Sequence, residues 1–499
     1  MVELHMMCSQ YPFALIRMWC GRPRLRIAVA AAAFGSLALT ASAASVPHFG
    51  SAAAARIWAE REERVGDFAG AAQAYQMEAA IRDRTGDPQG AQVELRRATR
   101  LATSIAFAVP SDVTLQQDDL AKYEPPSGCY IGVRDDFKGK YWGQDSANCE
   151  DFAARVQHPV AVALDYEVYG QPFPHDWATR EADRGRAIQI AWEPADISYV
   201  ADDEYLNQWA EDAGRSGAPI FLRFGGEMNG KWTSWGRDPA AYRRAFRIVH
   251  DVMARRAPNV AMVWAPNAIP VTNLDDYYPG DDVVDWVGIS LYIVRYYDDD
   301  LSRPAWQDSI ESFIDPIYRK YAARKPFCLA ECGITRRSRV EGTDADAFAS
   351  DRMKDLLESI KVRYPRLKMM CFFDRNNLVT AIQGRRLNDY ALPDGSLVLA
   401  AVRQELQDPY FLGHVRRRSC APVAYEQVSS GLPSGYQGSV SVSLSTYCLD
   451  PWLRIARGNT IVTVNRPYRF TVPNGSGPLQ ITVYDDKGRV AKTLQLDAP

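Results

Sequence analysis

The sequence predicts an α/β protein built around a (β/α)8 TIM barrel, with an N-terminal helical hairpin segment and a small C-terminal all-β domain. Two observations carry the barrel. Between residues 128 and 415, eight short, mostly apolar runs alternate with segments of helical periodicity. Nearly every run from the third onward ends on a polar or aromatic residue, where a barrel of this kind places its site. A third observation excludes the competing doubly wound sheet. That fold advertises a glycine-rich phosphate turn after its first strand, whereas here the first run ends Gly132-Val-Arg-Asp-Asp136.

In chain order, residues 1–45 carry a targeting pattern. Arg22, Arg24 and Arg26 precede an uncharged Ala- and Leu-rich stretch, 27–40, followed by the A-x-A-like Ala41-Ser-Ala-Ala44. The segment reads as a signal peptide or as a membrane anchor at the short limit for spanning. Either reading puts the body of the protein outside the cytoplasm, secreted or periplasmic. Residues 46–106 read as three helices, 52–64, 67–85 and 88–103, rich in Ala, Glu, Arg and Gln. The spacing Gly66-Asp-x-x-x-Ala71-x-x-x-Tyr75 is similar to a tetratricopeptide-type hairpin. Such a segment is expected to pack on the next domain or to dock a protein partner. Residues 107–127 contain Pro110, Pro125 and Pro126 and read as a linker.

The eight strands are expected at 129–135, 160–166, 187–192, 220–224, 261–265, 286–291, 327–330 and 368–373. Helical periodicity is clearest at 202–215, 239–255, 309–323 and 344–363. In residues 420–499, 440–444 and 479–484 alternate apolar and polar, with turn signals at Asn474-Gly475 and Asp486-Lys-Gly488. That is a β-sandwich, serving either to bind polysaccharide or to brace the barrel.

Composition narrows the function. The net charge of −3 argues against a nucleic-acid partner held through phosphates. With only 6 His and no CxxC pair, neither a metal site nor a cofactor is expected. Of 9 Cys, Cys8 and Cys20 fall in the leader; Cys129–Cys149 and Cys420–Cys448 are expected as local bridges in an oxidising compartment, and Cys328, Cys332 and Cys371 as core residues. The 12 Trp and 25 Tyr fit a carbohydrate cleft, since flat apolar rings with a polar edge suit the C–H faces of sugars.

Two carboxylates stand out. Glu227 closes Pro219-Ile-Phe-Leu-Arg-Phe-Gly-Gly-Glu, and Glu331 lies in Phe327-Cys-Leu-Ala-Glu-Cys-Gly333. A pair of acids facing one barrel mouth is the equipment for cleaving a glycosidic bond. A single such Glu more often caps a helix or pairs with an arginine.

The run Leu222-Arg-Phe-Gly-Gly-Glu-Met-Asn-Gly-x-Trp232 continues into Trp264-Ala-Pro-Asn267. Tyr277-Tyr-Pro-Gly-Asp-Asp-x-Val-Asp-Trp-Val-Gly288 and Lys325-Pro-x-x-Leu-Ala-Glu-x-Gly333 follow. In order and spacing this set resembles glycoside hydrolase family 26, over roughly residues 128–412. The resemblance implies a retaining endo-β-glycanase without a cofactor, acting on mannan, β-glucan, xylan or an exopolysaccharide. It implies Glu227 as acid/base, Glu331 as nucleophile, Tyr292 as partner of the nucleophile and Arg223 as the charge beneath it; from the residues alone, Arg223 has Asp165 as an alternative partner. The other substrate-binding candidates are Trp192, Trp232, Trp235 and Trp264 as stacking platforms, at least one of them expected to be plain core, and Asn229 and Asn267, which either hydrogen-bond sugar hydroxyls or hold turns. Glu193 is a contact for a sugar hydroxyl or a cationic amino sugar, or a solvated loop residue. The sequence departs from the family at Gly226, where many members have His, and at Trp192-Glu193, where mannan-cleaving members carry Trp-His. These departures keep open a non-catalytic glycan-binding protein as the alternative.

Overall fold

The computed structural model describes residues 46–65, 67–111, 120–134, 148–306, 308–415, 420–446, 448 and 450–498. The leader lies outside the described residues, as does part of the segment read as linker. Three helices come first: α1 (Ala52–Val65), α2 (Phe68–Arg84) and α3 (Pro88–Leu101). Asp67 and Asp87 start α2 and α3 by accepting from the Gly70 and Gly90 amides. The two acids Glu78 and Glu94 are buried among the three helices and neutralised by Arg56, Arg82 and Arg97. Unpaired, buried carboxylates would open the arm.

Residues 104–111, which the sequence suggested as the end of the helices and the start of a linker, form strand β1 (Ser104–Ser111). The barrel follows: β2 (Cys129–Arg134), α4 (Cys149–Val156), β3 (Val162–Val168), α5 (His175–Asp183), β4 (Ala187–Glu193), α6 (Glu204–Ser216), β5 (Ile220–Phe224), α7 (Pro239–Arg256), β6 (Val260–Trp264), a short α8 (Leu274–Tyr277), β7 (Trp286–Ile293), α9 (Ile310–Tyr321) and β8 (Phe327–Ile334). A two-residue strand β9 (Arg337–Ser338) precedes α10 (Asp346–Val362) and β10 (Leu367–Phe372); α11 (Asn377–Thr380), β11 (Asn388–Asp389), α12 (Leu397–Glu405) and β12 (Phe411–Leu412) complete it. Strands β2 to β8 and β10 are parallel, and β10 pairs back onto β2, so the sheet closes. The eight strand positions agree with those read from sequence to within a few residues. Strands buried on both faces read as continuous apolar runs, and capping residues set the helix ends: Asp203 and Gly217 bracket α6, and Asp238 with Pro239 opens α7.

After the barrel come β13 (Ala424–Val428), β14 (Ser439–Ser445), β15 (Trp452–Arg457), β16 (Thr460–Val464), β17 (Arg469–Thr471), β18 (Leu479–Tyr484) and β19 (Val490–Leu496). They form two antiparallel sheets, β13-β1-β14-β17 and β16-β15-β18-β19, around one apolar core. Strand β1 therefore crosses from before the barrel to complete the C-terminal domain, with Phe107 opposite both Val428 and Val442. This module sits on α10: Arg363 donates to the Ser104 and Ser443 carbonyls, and Arg466 pairs with Asp355.

The bridges Cys129–Cys149 and Cys420–Cys448 expected from sequence are not formed; all seven described cysteines are free. Topology forbids them. Cys129 opens β2 and Cys149 opens α4, and in a strand–helix unit those two starts lie at opposite ends of the barrel wall. Cys420 precedes β13 and Cys448 follows β14, two strands that run parallel with β1 between them. Two strand spacings of about 4.8 Å already exceed the reach of a disulfide, roughly 7 Å between Cα atoms. Cys328, Cys332 and Cys371 are core residues, as expected.

Candidate active site

The loop after β5 carries the first carboxylate. Its backbone is tied to both neighbouring strand ends: the Gly225 amide donates to the Trp192 carbonyl (2.9 Å) and the Glu227 amide to the Ala265 carbonyl (2.8 Å). This tight turn leaves Glu227 left-handed, with φ of 59°, a conformation that a non-glycine residue holds only when its surroundings fix it. The strain aims the side chain over the barrel mouth.

Glu331 comes from β8 and is 4% exposed. Arg223, on β5 and 3% exposed, reaches across the barrel, and its Nη1 contacts Glu331 Oε1. Its Nη2 donates to Ser290 Oγ (2.9 Å) and lies 3.9 Å from Glu227 Oε1. One guanidinium thus spans both carboxylates, one on each η nitrogen, a span that suits the separation of about 5–5.5 Å used in retaining chemistry. Asp165, the alternative partner for Arg223, does not take that place. The Tyr292 hydroxyl donates to Glu331 Oε2, and Tyr166 on β3 adds another hydrogen bond to it.

The electrostatics separate the two acids. At Glu331 burial opposes ionisation, but Arg223 and the bonds from Tyr292, Arg223 and Tyr166 outweigh it; the carboxyl lies below its ordinary value and is an anion. At Glu227 burial and the negative charge of Glu331 outweigh Arg223 and the hydrogen bonds from Trp232 and Ser290; this carboxyl is held above its ordinary value. Two acids pushed apart in this way can serve as an anion and a proton donor at one pH.

Gly226 has a local reason. A Cβ there would come within 2.4 Å of Arg223 Nε and 2.6 Å of its Nη2. Glu331 and Ser290 hold the guanidinium there, so a larger side chain at 226 has to shift the charge beneath Glu331.

Of the aromatic candidates, two face the mouth. Trp232 is 52% exposed and its Nε1 donates to Glu227 Oε2 (2.7 Å). Trp235 is partly buried and donates to the Gly226 carbonyl (2.8 Å). Trp192 and Trp264 correct the sequence reading: both are fully buried between barrel and helices. Trp192 stacks on Trp209 of α6 at 4.1 Å between centroids, and Trp264 meets Tyr321 of α9 and Tyr278 edge-on. Successive strand residues face opposite ways, so a Trp192 turned outward is what lets Glu193 turn inward.

Asn229 takes the turn-holding role, one of the two that the sequence leaves open. Asn229 is 2% exposed and clasps the neighbouring loop: its Nδ2 donates to the Asn267 and Pro270 carbonyls, and its Oδ1 accepts from the Asn267 amide. Asn267 Oδ1 accepts from the Ile269 amide (3.2 Å). Asn229 thus spends its amide on the loop, whereas Asn267 uses its Oδ1 there. Glu193 stands near the pair. Burial and the charges of Glu331 and Glu227 raise it to about 7, against the pull of Arg223 and Arg385.

Two residues escaped the sequence reading. Ser290 shares its face of β7 with Tyr292, two positions on, so that parity signal was available. Tyr166 follows Asp165 at the end of an otherwise apolar strand, a weaker signal.

Residues 194–305 match the model of glycosyl hydrolase family 26. Over that stretch, about a fifth of its length, the chain is similar to that family. The matched stretch contains Arg223, Glu227, Ser290 and Tyr292 and ends before Glu331. The chain is 31% identical over 167 residues to endoglucanase H of Acetivibrio thermocellus, covering 30% of this chain and 18% of that protein. It is 30% identical over 105 residues to beta-1,3-xylanase TXYA of a Vibrio species, covering 19% and 22%. The chain thus spans about a fifth of the length of these relatives. Among solved structures, a modular endo-beta-1,4-mannanase from Cellulomonas fimi superposes with a TM-score of 0.43 at 15% identity, over 74% of this chain and 94% of that one.

Proposed function

We propose that this protein is an exported, retaining endo-β-glycanase that cleaves a β-linked polysaccharide by double displacement. The observation that carries the reading is the single Arg223 guanidinium shared by two glutamates held on opposite sides of the ordinary carboxylate range.

Glu331 is the nucleophile. Its carboxylate attacks the anomeric carbon as the bond to the leaving sugar breaks, and Glu227 passes its proton to the departing oxygen. A glycosyl ester on Glu331 results. Glu227, now ionised, takes a proton from water; the water oxygen bonds to the anomeric carbon and Glu331 leaves as the carboxylate. Arg223, Tyr292 and Tyr166 hold Glu331 ionised before attack and orient it. The exposed face of Trp232 offers a sugar ring a stacking surface beside the proton donor. Mannan, mixed-linkage β-glucan, xylan and an exopolysaccharide are the substrate classes for this cleft.

Export belongs to the same proposal through the basic and apolar leader, as do membrane retention by that leader and partner docking through the arm; fractionation of cells carrying a C-terminally tagged full chain tests export. For the chemistry, the full chain is incubated with a panel of β-glycans and reducing ends are measured. Glu331→Gln should lower kcat by about 10⁵ or more. Glu227→Gln should lower it by roughly 10²–10⁴, with partial recovery on aryl glycosides whose leaving group needs no proton. Wild-type rates from both variants on a cleaved glycan would overturn the assignment.

A further inference from the structure

The loop after β8 and the loop after β10 meet in a two-stranded ribbon, β9 against β11. The ribbon borders the cleft: Tyr390, next to β11, packs on the Tyr292 ring at 5.1 Å, and Arg385 acts on the Glu193 carboxyl. At its surface lies an open depression of about 390 Å³, lined among others by Arg337, Arg339, Arg386, Leu378 and Gln383. That volume is within the usual range for a small-ligand site.

Of its arginines, Arg339 is paired with a carboxylate and Arg337 and Arg386 are not. Arg336 pairs with Asp389 at 3.0 Å, Arg339 with Asp299 at 2.7 Å and Arg295 with Glu341 at 2.6 Å, so the local acids are already committed. Arg337 instead donates Nε and Nη2 to the Gly342 carbonyl, at 3.1 and 2.9 Å, and Arg386 donates Nε to the Ala381 carbonyl at 2.8 Å. Neutral carbonyls fix these forks without cancelling their charge. Among the described residues no carboxylate lies within ion-pair distance of Arg337, Arg385 or Arg386. Arg337 and Arg386 are exposed guanidiniums without a carboxylate partner at this edge, and Arg385 beside them acts on Glu193 from beyond ion-pair distance.

We propose that this edge is an anion site reading a carboxylate on the glycan, so that the substrate is an acidic β-linked polysaccharide bearing uronate or a similar acidic substituent. Each guanidinium is held by a carbonyl on its Nε side, which leaves N–H groups on its other edge to meet a carboxylate. The site stands beyond the two glutamates, on the side of the Glu331 strand, so the charged sugar lies along the chain from the bond being cut. This substrate assignment rests on the glycanase reading, but the anion site is testable by binding alone.

The probes are mixed-linkage β-glucan and the same glucan oxidised at C6 to uronate, which share linkage and differ in charge. The full chain carrying Glu227→Gln is titrated with each by affinity electrophoresis and calorimetry, at low and at high salt. The oxidised glucan should bind about tenfold more tightly, with the preference shrinking as salt rises. Arg337→Gln with Arg386→Gln should abolish the preference, whereas the paired Lys variants, which keep charge but lose the guanidinium geometry, should retain part of it. Equal binding of both glucans, no binding of the oxidised form, or loss of preference in the Lys pair equal to that in the Gln pair overturns the proposal. Selective binding without release of reducing ends by the wild-type chain from either glucan would leave the anion site standing and count against the glycanase reading instead.

Discussion

Glu227 and Glu331 are the same residue type at the C-terminal ends of two barrel strands, yet their surroundings do opposite things. Glu331 lies within its strand, almost sealed, and receives donors from three directions. Glu227 lies one turn beyond its strand, in a strained backbone conformation, and sees burial and a neighbouring anion with too few donors to compensate. Depth along the strand, rather than residue identity, decides which acid is ionised. Arg223 is where the two environments meet, and changing it should have the largest effect on their contrast.

Arg223→Met keeps bulk and removes the charge. Glu331 then has burial without its main compensation, so its value should rise above the ordinary range. The acid limb of the kcat/KM profile moves to higher pH, and kcat falls on the order of 10²–10³. Stability should change sign with pH. In the wild type, Glu331 is lowered in the fold; its contribution is present above the unfolded value and is lost as pH falls through the folded one. In the variant it is raised, so that contribution is present below the unfolded value and is lost as pH rises through the folded one. Near neutral pH, leaving the carboxylate buried and unpaired should cost about 3–5 kcal/mol in urea unfolding. An acid limb that stays in place would show that Arg223 does not set the state of Glu331.

A smaller effect is expected from the hydroxyl donors. Tyr292→Phe and Tyr166→Phe each remove one bond to a buried anion, worth roughly 1.5–3 kcal/mol, or about 10–100-fold in kcat. Both should move the acid limb upward while leaving the alkaline limb, which the proposed mechanism assigns to Glu227, where it was. A variant that moved both limbs equally would mean the two acids titrate as one unit rather than as a separated pair.

The same contrast explains what the sequence revealed. The eight strands, both glutamates, Arg223 and Tyr292 were legible because double-sided burial writes a strand as an apolar run and a charge at its end is conspicuous. Facing direction was legible in principle and was misread. Trp192 and Glu193 are adjacent on one strand and cannot both line the cleft; the pleat gives the mouth to Glu193 and turns Trp192 onto Trp209. Asn229 could not be assigned from the chain, because its partners, Asn267 and Pro270, lie on the next strand's loop. Strand β1 was hidden for a stronger form of the same reason. Its partners are more than 300 residues away, and no local pattern distinguishes a strand with such partners from an extended linker.

Glu193→Gln gives the finest test of the contrast. Glu193 titrates at about 7 beside both acids, so across neutral pH it adds a negative charge that helps keep Glu227 protonated. Replacing it with a neutral isostere removes that charge. Glu227 should then lose its proton at lower pH, and the alkaline limb of kcat/KM should move acidward. Glu331, anchored by Arg223 and two tyrosines, should keep its acid limb nearly in place. The rate at the optimum should fall by no more than about tenfold, since Glu193 donates nothing to the reacting atoms. An unmoved alkaline limb would show that Glu193 is screened from Glu227 by solvent in the cleft, and that burial and Glu331 hold the proton donor without it.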